Sequence, residues 1–396
     1  GYVFLLRMID YFLKEYGSDH RVTKLIDSAS IFFAPLLNPD GTYAESDSSV
    51  QGATRYNSRY VDLNRDYQYP GGGKNPQPES RALIDFQTQH RFVMSIDFHD
   101  GMECFLYPWA YKAGHPNDKE WFGTVCREYV DAVHKVNPNT FNDKSGSAAI
   151  LYYIAKGIRS DHQLYKDHCR GVTIELSSVQ VIDESVLLKY WNYHKDAVLD
   201  FYMEMFNGIR GNVKTVKDND LVGVPVKVSV TSSDGSSWDD EYSHVFADTL
   251  HGNFYRPIHP GTYDVTFSHP DYADVVKKNV VVIKGKGTHL DVNMTPKTSI
   301  DNILQELNNN ISFIPYQKGI KISISEKFHT YLKQIVIYNV KGMTVKTFKR
   351  EHLVRNSPIE WNGLTDYGKT TGNGYYIVKI KSTAHEEYVQ PFMFIR

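Results

Sequence analysis

The chain has 396 residues, too many for one ordinary domain, and 41% of them are hydrophobic, enough for several cores. A formal net charge of -2 gives no electrostatic case for nucleic acid or an anionic membrane surface as partner. No run of eighteen apolar residues appears, so no helical membrane span is expected, and 28 Tyr and 20 Phe suit sheet-rich domains. The three cysteines, Cys104, Cys126 and Cys169, lack metal-site spacing and read as buried small hydrophobes, with at most one disulfide.

The chain opens on a helix, Gly1 to Gly17, with Phe4, Leu5, Met8, Ile9, Phe12 and Leu13 at helical spacing. It has no cap and no preceding strand, so residues upstream of Gly1 are expected. Ser30 to Gly41 reads as an apolar strand ending in an Asn-Pro-Asp-Gly turn. Then comes Ala53 to Pro70, which gathers Arg55, Arg59, Asn64 and Arg65 in one loop. Guanidiniums this close invite an anion, because Arg matches a carboxylate or phosphate two bonds at a time. A solvated basic surface loop is the plain alternative.

Glu79 to Gln89 reads as a helix, and FVMSIDFHDG as a buried strand ending at His99. A helix from about Glu120 to Val136, a Ser/Gly/Ala-rich stretch at Lys144 to Ile150, the strand GVTIELSS and a helix from Glu184 to Phe206 follow. This alternation implies an α/β domain with a mixed, largely parallel sheet and flanking helices, binding ligands at strand carboxyl ends. Arg65, His99 and Glu175 all lie at such ends. From Ile209 the texture becomes short alternating strands broken by Gly, Pro, Asn and Asp, which predicts an antiparallel sandwich of roughly ninety residues. A linker or short helix, KTSIDNILQEL, leads to a second β-rich module from about Asn310. The expected division is therefore 1–207 (α/β), 208–297 and 298–396 (two all-β sandwiches), without internal repeats or low-complexity tracts.

Singly, the polar candidates are unspecific. A lone His99 after a strand is more often a hydrogen-bonded structural residue than a ligand. Glu175 interrupts an apolar strand, so either it pairs with a cation or its pKa is tuned for general-base work. Tyr152 and Tyr153 follow a small-residue loop and could cap a pocket, although most tyrosines simply pack.

In their order and spacing these residues resemble the zinc metallocarboxypeptidase family over about the first 206 residues. The family's anion loop, Arg-x-Asn-x-x-x-x-Asp-Leu-Asn-Arg-Asn-Phe-Pro, is reproduced by Arg55–Asn57 and Asp62–Tyr67, with Asp66 and Tyr67 as departures. The resemblance implies that Asn64 and Arg65 clamp a peptide's terminal carboxylate and that Arg55 stabilises the oxyanion. It further implies His99, followed by Tyr107-Pro108, as a zinc ligand, Tyr153 as the tyrosine that closes over substrate, and Glu175 as the general base. The Tyr153–Asp161–Glu175 spacing fits without gaps. The family draws its first two zinc ligands from a His-x-x-Glu, which these 396 residues do not contain. With one ligand where catalytic zinc takes three, the chain is expected to bind zinc poorly and to be weakly active or inactive, its full-length parent being an enzyme.

Relatives that remove C-terminal Lys or Arg carry an acid near the Tyr-Pro or just before the residue matching Asp161. Here Trp109-Ala110 and Arg159-Ser160 occupy those places, so apolar or mixed specificity is expected. Arg159 reads as an exposed loop residue, with a preference for acidic side chains as the alternative. GIRGNVK…PGTYDVTFSHPDY resembles the transthyretin-like module of the carboxypeptidase N/E branch. WNGLTDYGKTTGNGYYIVKIK, with Gly363, Gly368, Gly372 and Gly374 at turns, resembles the C-terminal sorting domains of secreted Bacteroidetes proteins; a plain accessory β-module is the alternative. A secreted or surface-bound bacterial monomer acting on peptide or protein C-termini is the expectation. A non-catalytic binder of C-termini and an adhesin are the other readings.

Overall fold

In the computed structural model the described residues are 1–142, 148–149, 153–215, 226–232, 242–297, 311–316, 319–324, 332–353, 357–382 and 387–395. They form two compact units, Gly1–Pro296 and Lys297–Arg396.

The first unit begins with α1 (Tyr2–Glu15), which buries Phe4, Met8 and Phe12 at four-residue intervals, and α2 (His20–Ser28), capped by the Asp19 carboxylate accepting from the Arg21 amide. Residues 30–37, expected as a strand, find no strand partner among the described residues; Asn38 and Pro39 then start a single helical turn, α3 (Pro39–Thr42). The Asn38 side chain caps that turn by accepting from the Gly41 amide at 3.0 Å. Then come α4 (Pro78–His90), β1 (Met94–His99), β2 (Met102–Leu106), α5 (Lys119–Val136), β3 (Ala148–Ala149), α6 (Arg159–Asp167), β4 (Arg170–Ser177) and α7 (Leu187–Met203). Short 3-10 turns at Glu184–Val186 and Glu204–Phe206 extend α7 over the helix expected from the sequence.

The sheet runs β1-β4-β2-β3, with β1 parallel to β4, β4 antiparallel to β2, and β2 parallel to β3. Its alternation sorts the strand residues by face. Val172, Ile174 and Leu176 enter a core with Phe105, Phe122, Val125, Tyr129, Val130 and Phe201. Ser95, Asp97 and His99 share a face of β1, and Thr173 and Glu175 the adjoining face of β4. Helix α5 supplies much of the core, burying Trp121, Phe122, Val125, Cys126, Tyr129, Val130 and Val133 along one side. Each such side chain is worth about 1.5–3 kcal/mol. All three cysteines are buried, and none is in a disulfide among the described residues.

The remainder of this unit is β-rich: β5 (Gly208–Thr215), β6 (Lys227–Ser232), β7 (Val245–Phe246), β8 (Asn253–Arg256), β9 (Gly261–His269), β10 (Tyr272–Val282), β11 (Gly287–His289) and β12 (Val292–Met294). Strands β10-β9-β6-β7 form an antiparallel sheet, but β5 pairs in parallel with both β11 and β12 and antiparallel with β8. The expected purely antiparallel pattern is thus replaced by mixed sheets. Gly211 permits it: a Cβ there would lie 1.9 Å from the Leu290 carbonyl, where the returning chain passes between β11 and β12. A second apolar cluster, including Val228, Val230, Phe254, Val265, Phe267, Val292 and Met294, lies among these strands.

One buried polar knot ties the two parts of the unit. Asp118, the N-cap residue of α5, accepts from Arg170 of β4 at 2.6 Å and from Arg256 of β8 at 2.7 and 3.0 Å. All three side chains are fully buried. Backbone carbonyls of His168, Ser243 and Pro257 take further guanidinium hydrogens, spreading the surplus positive charge.

The second unit consists of antiparallel strands β13 (Ile311–Tyr316), β14 (Gly319–Ile324), β15 (Leu332–Asn339), β16 (Thr344–Lys349), β17 (Ile359–Trp361), β18 (Gly374–Ser382) and β19 (Glu387–Phe394). They order as β13-β14-β17 and β16-β15-β18-β19, and residues of both sheets join a cluster centred on Trp361 and Phe394. Gly363, at φ 76°, turns tightly against the Phe394 ring.

Replacing Asp118 by Asn should cost about 3–5 kcal/mol, because it leaves two buried guanidiniums without their carboxylate. Urea unfolding of the full chain measures this; a loss below about 1 kcal/mol would contradict it.

Candidate active site

The carboxyl ends of β1 and β4 open into a cavity of about 700 Å³. It is walled by the 53–65 loop, the start of α6 and Tyr153. The parallel register sets His99 directly beside Glu175 and Asp97 beside Thr173. The structure thus brings Arg55, Asn64, Arg65, His99, Tyr153 and Glu175 to one cavity. Tyr152 lies outside the described residues, as does most of Lys144–Ile150.

The arginine-rich loop is held by short-range hydrogen bonds that its own sequence supplies. Asn57 accepts from the amides of Arg59 and Val61, and its side-chain amide donates to Glu79 at 3.1 Å. Asp62 accepts from the Asn64 amide, opening the 3-10 turn Leu63–Arg65, and pairs with Arg55 at 2.7 Å. Asp66, a departure from the family pattern, is buried and accepts from the Gln77 amide at 2.6 Å. It ties the loop to the start of α4. Arg59 is exposed and outside the cavity lining.

The placing of Asn64 and Arg65 depends on α6. The Arg159 amide, at the first position of α6, donates to Asn64 Oδ1 at 3.0 Å. That fixes the Asn64 side chain with its Nδ2 donor toward the cavity, 3.4 Å from His99 Nε2. Arg65 donates from Nη1 to the Asn64 carbonyl at 2.7 Å and from Nη2 to the Tyr153 hydroxyl at 3.3 Å. Gly157 is required here: its φ is 73°, and a Cβ would lie 2.2 Å from the Arg65 carbonyl oxygen.

Burial dominates the electrostatics. Glu175 has its carboxyl pushed up to about 8 by burial, with the Asp100 charge adding and Arg55 opposing, and its Oε2 has no hydrogen-bond partner among the described residues. Burial lowers the His99 pKa against the pull of Asp97 and Asp100. Behind the wall, Asp161 is raised to about 7 by burial although it accepts from the Ala110 amide at 2.9 Å and from that of Tyr111 at 2.8 Å. It thereby holds Ala110 in the cavity wall.

Arg159 is the residue the sequence misplaces. It is 12% exposed rather than a surface loop residue, and its guanidinium pairs with Asp97 at 2.5 Å. Asp97 itself passes unnoticed as a mere neighbour of His99. The period of two, Ser95–Asp97–His99, is the signal that would have put it on the cavity face.

Among the described residues no group of three His, Cys, Asp or Glu side chains could hold a metal ion. His99 supplies one imidazole, so the described residues do not complete a catalytic zinc set.

Residues 1–197 match a family model described as zinc carboxypeptidase. The chain is 26% identical over 320 residues to carboxypeptidase D of Homo sapiens, covering 74% of this chain and 22% of that protein. It is likewise 26% identical over 315 residues to the carboxypeptidase N catalytic chain of Mus musculus, covering 69% and 66% respectively. It therefore spans about a fifth of the length of the first and two thirds of the second. A crystal structure of thrombin activatable fibrinolysis inhibitor aligns over 50% of this chain and 57% of its own, at 21% identity and TM-score 0.42.

The raised Glu175 pKa has a stability consequence. Between about pH 4.5 and 8 the folded state holds a proton that the unfolded state has released, so stability falls as pH rises through that window. Glu175→Gln should remove this residue's share of the fall, which Asp161 also feeds at lower pH, leaving stability unchanged near pH 4 and raising it by up to a few kcal/mol near pH 8. Thermal melts of both proteins across this range test it; parallel pH profiles would refute it.

Proposed function

The chain belongs, through residues 1–197, to the zinc carboxypeptidase family, and from that membership we propose that it acts on the C-termini of peptides or proteins, removing the last residue by hydrolysis. The observation that carries this reading is the meeting, in one cavity, of the Asn64–Arg65 donors with Glu175 beside His99. A free C-terminal carboxylate is the anion that fits a planar guanidinium next to an amide donor. Arg65 and Asn64 bind it; Tyr153, already bonded to Arg65, covers it from the solvent side. That anchorage sets the last peptide bond near Glu175, the base that takes a proton from the attacking water, its high pKa suited to near-neutral pH. Arg55, at the rim with Asp62, faces the carbonyl oxygen where negative charge develops.

Zinc is the cofactor the family implies. The 396 residues contain no His-x-x-Glu, and His99 is the single ligand the reading assigns. We extend the proposal accordingly: this chain by itself holds zinc weakly and hydrolyses slowly, as a monomer. It is organised as an α/β domain over 1–207 and two accessory β-sandwiches over 208–297 and 298–396, the first transthyretin-like. The last is proposed as a secretion sorting module that places the protein outside a bacterial cell or on its surface. No described helix is long and apolar enough to cross a membrane.

A peptide with a free C-terminus should bind the chain at least about tenfold more tightly than the same peptide amidated, and Arg65→Met should erase that difference. Calorimetric titration decides; equal affinity for acid and amide would end the reading. Separately, zinc titration of the chain should give weak, non-stoichiometric binding, and tight one-to-one binding would reject the ligand assignment.

A further inference from the structure

The sheet face that carries His99 and Glu175 continues below them as a polar stripe. Asp97 and Thr173 are neighbours in the next register position down, with Ser95 below Asp97. Asp97, Thr173 and Arg159 line the same cavity, next to Ala110 and Ile158. The Arg159 guanidinium donates to Asp97 at 2.5 Å and to Ser95 Oγ at 3.3 Å. Among the described residues Arg159 is the one cation in salt-bridge range of Asp97. Each of these charges is costly to bury alone. Each also hides the other from whatever enters the cavity.

The pair is rigidly linked to the clamp. The amide of Arg159 holds Asn64 Oδ1, so one residue positions a donor for the terminal carboxylate and places a guanidinium below it. A C-terminal residue seated on Asn64 and Arg65 would therefore send its side chain toward the Asp97–Arg159 floor.

We propose that Asp97 and Arg159 are the specificity-determining residues of this cavity. As a self-neutralised pair they select uncharged C-terminal side chains, and loss of either partner unmasks a charge of the opposite preference. This rests on the carboxypeptidase reading above. A C-terminal Lys or Arg meets a guanidinium whose carboxylate is already engaged. A C-terminal Glu or Asp meets a carboxylate it must displace. An amide or apolar side chain meets neither penalty, and the Thr173 hydroxyl, which has no hydrogen-bond partner among the described residues, can serve an amide. Arg159→Gln leaves Asp97 as an anionic floor and turns the cavity toward Lys and Arg. Asp97→Asn leaves the guanidinium and turns it toward Glu and Asp.

The test is equilibrium binding of the full chain to peptides identical except for a last residue of Leu, Gln, Lys or Glu, each as free acid and as amide. The unsubstituted chain should bind the Leu and Gln acids about tenfold more tightly than the Lys and Glu acids. Arg159→Gln should raise relative affinity for the Lys acid by about tenfold, Asp97→Asn that for the Glu acid by a similar factor, and the double variant should do neither. Should one single variant fail to fold, the other carries the test alone. If acids outbind amides but the order of last residues is the same in every folded variant, the clamp stands and the selectivity proposal is overturned. If acids and amides bind alike, or nothing binds, the carboxypeptidase reading itself fails and the proposal with it.

Discussion

The parallel register between Met94–His99 and Arg170–Ser177 is the constraint on which the site depends. With side chains alternating between faces, a slip of one residue in either strand would send its own His99 or Glu175 into the apolar core. The hydrophobic partners on the opposite face, Val172, Ile174 and Leu176, forbid that slip. The face that carries His99 and Glu175 is thus fixed by what lies behind it. The same register stacks Asp97 beside Thr173, so the charge pair below is positioned by the strands that position His99 and Glu175 above it.

Around that fixed pair the loop that carries Asn64 and Arg65 is assembled from turn chemistry. Asn57, Asp62 and Asp66 each accept from nearby backbone amides, so the loop is held with little regular structure beyond the 3-10 turn Leu63–Arg65. The start of α6 then supplies what the loop cannot. The Arg159 amide aims the Asn64 side chain, and the missing side chain of Gly157 lets the Arg65 backbone approach.

Much of this was legible in the sequence where it depends on local pattern. The helices α1 and α5 follow their apolar spacing, the strand ending at His99 follows its apolar run, and Asn64, Arg65, His99, Tyr153 and Glu175 all reach the cavity. What depends on distant partners was not. Residues 30–37 have a strand's composition but no described partner strand to pair with, and pairing is not a property of one segment. Arg159 sits at a helix start in a polar stretch, which reads as surface; only the approach of Asp97, 62 positions away, makes it interior. The parallel pairing of β5 likewise turns on the Leu290 carbonyl passing Gly211, a contact between segments far apart in the chain.

The Asp118–Arg170–Arg256 knot bears on how this protein can be divided. Its three members come from the start of α5, from β4 beside the site and from β8 of the β-rich part. A cut near residue 207 would open this dry interior to water and strip one guanidinium from its carboxylate. The α/β and β-rich halves of the first unit therefore behave as a single cooperative piece in heat, denaturant or protease, with no weak seam at the composition change near Ile209. For recombination between genes, the two sides of residue 207 travel together, and the visible shift in sequence texture is a poor guide to where the molecule comes apart.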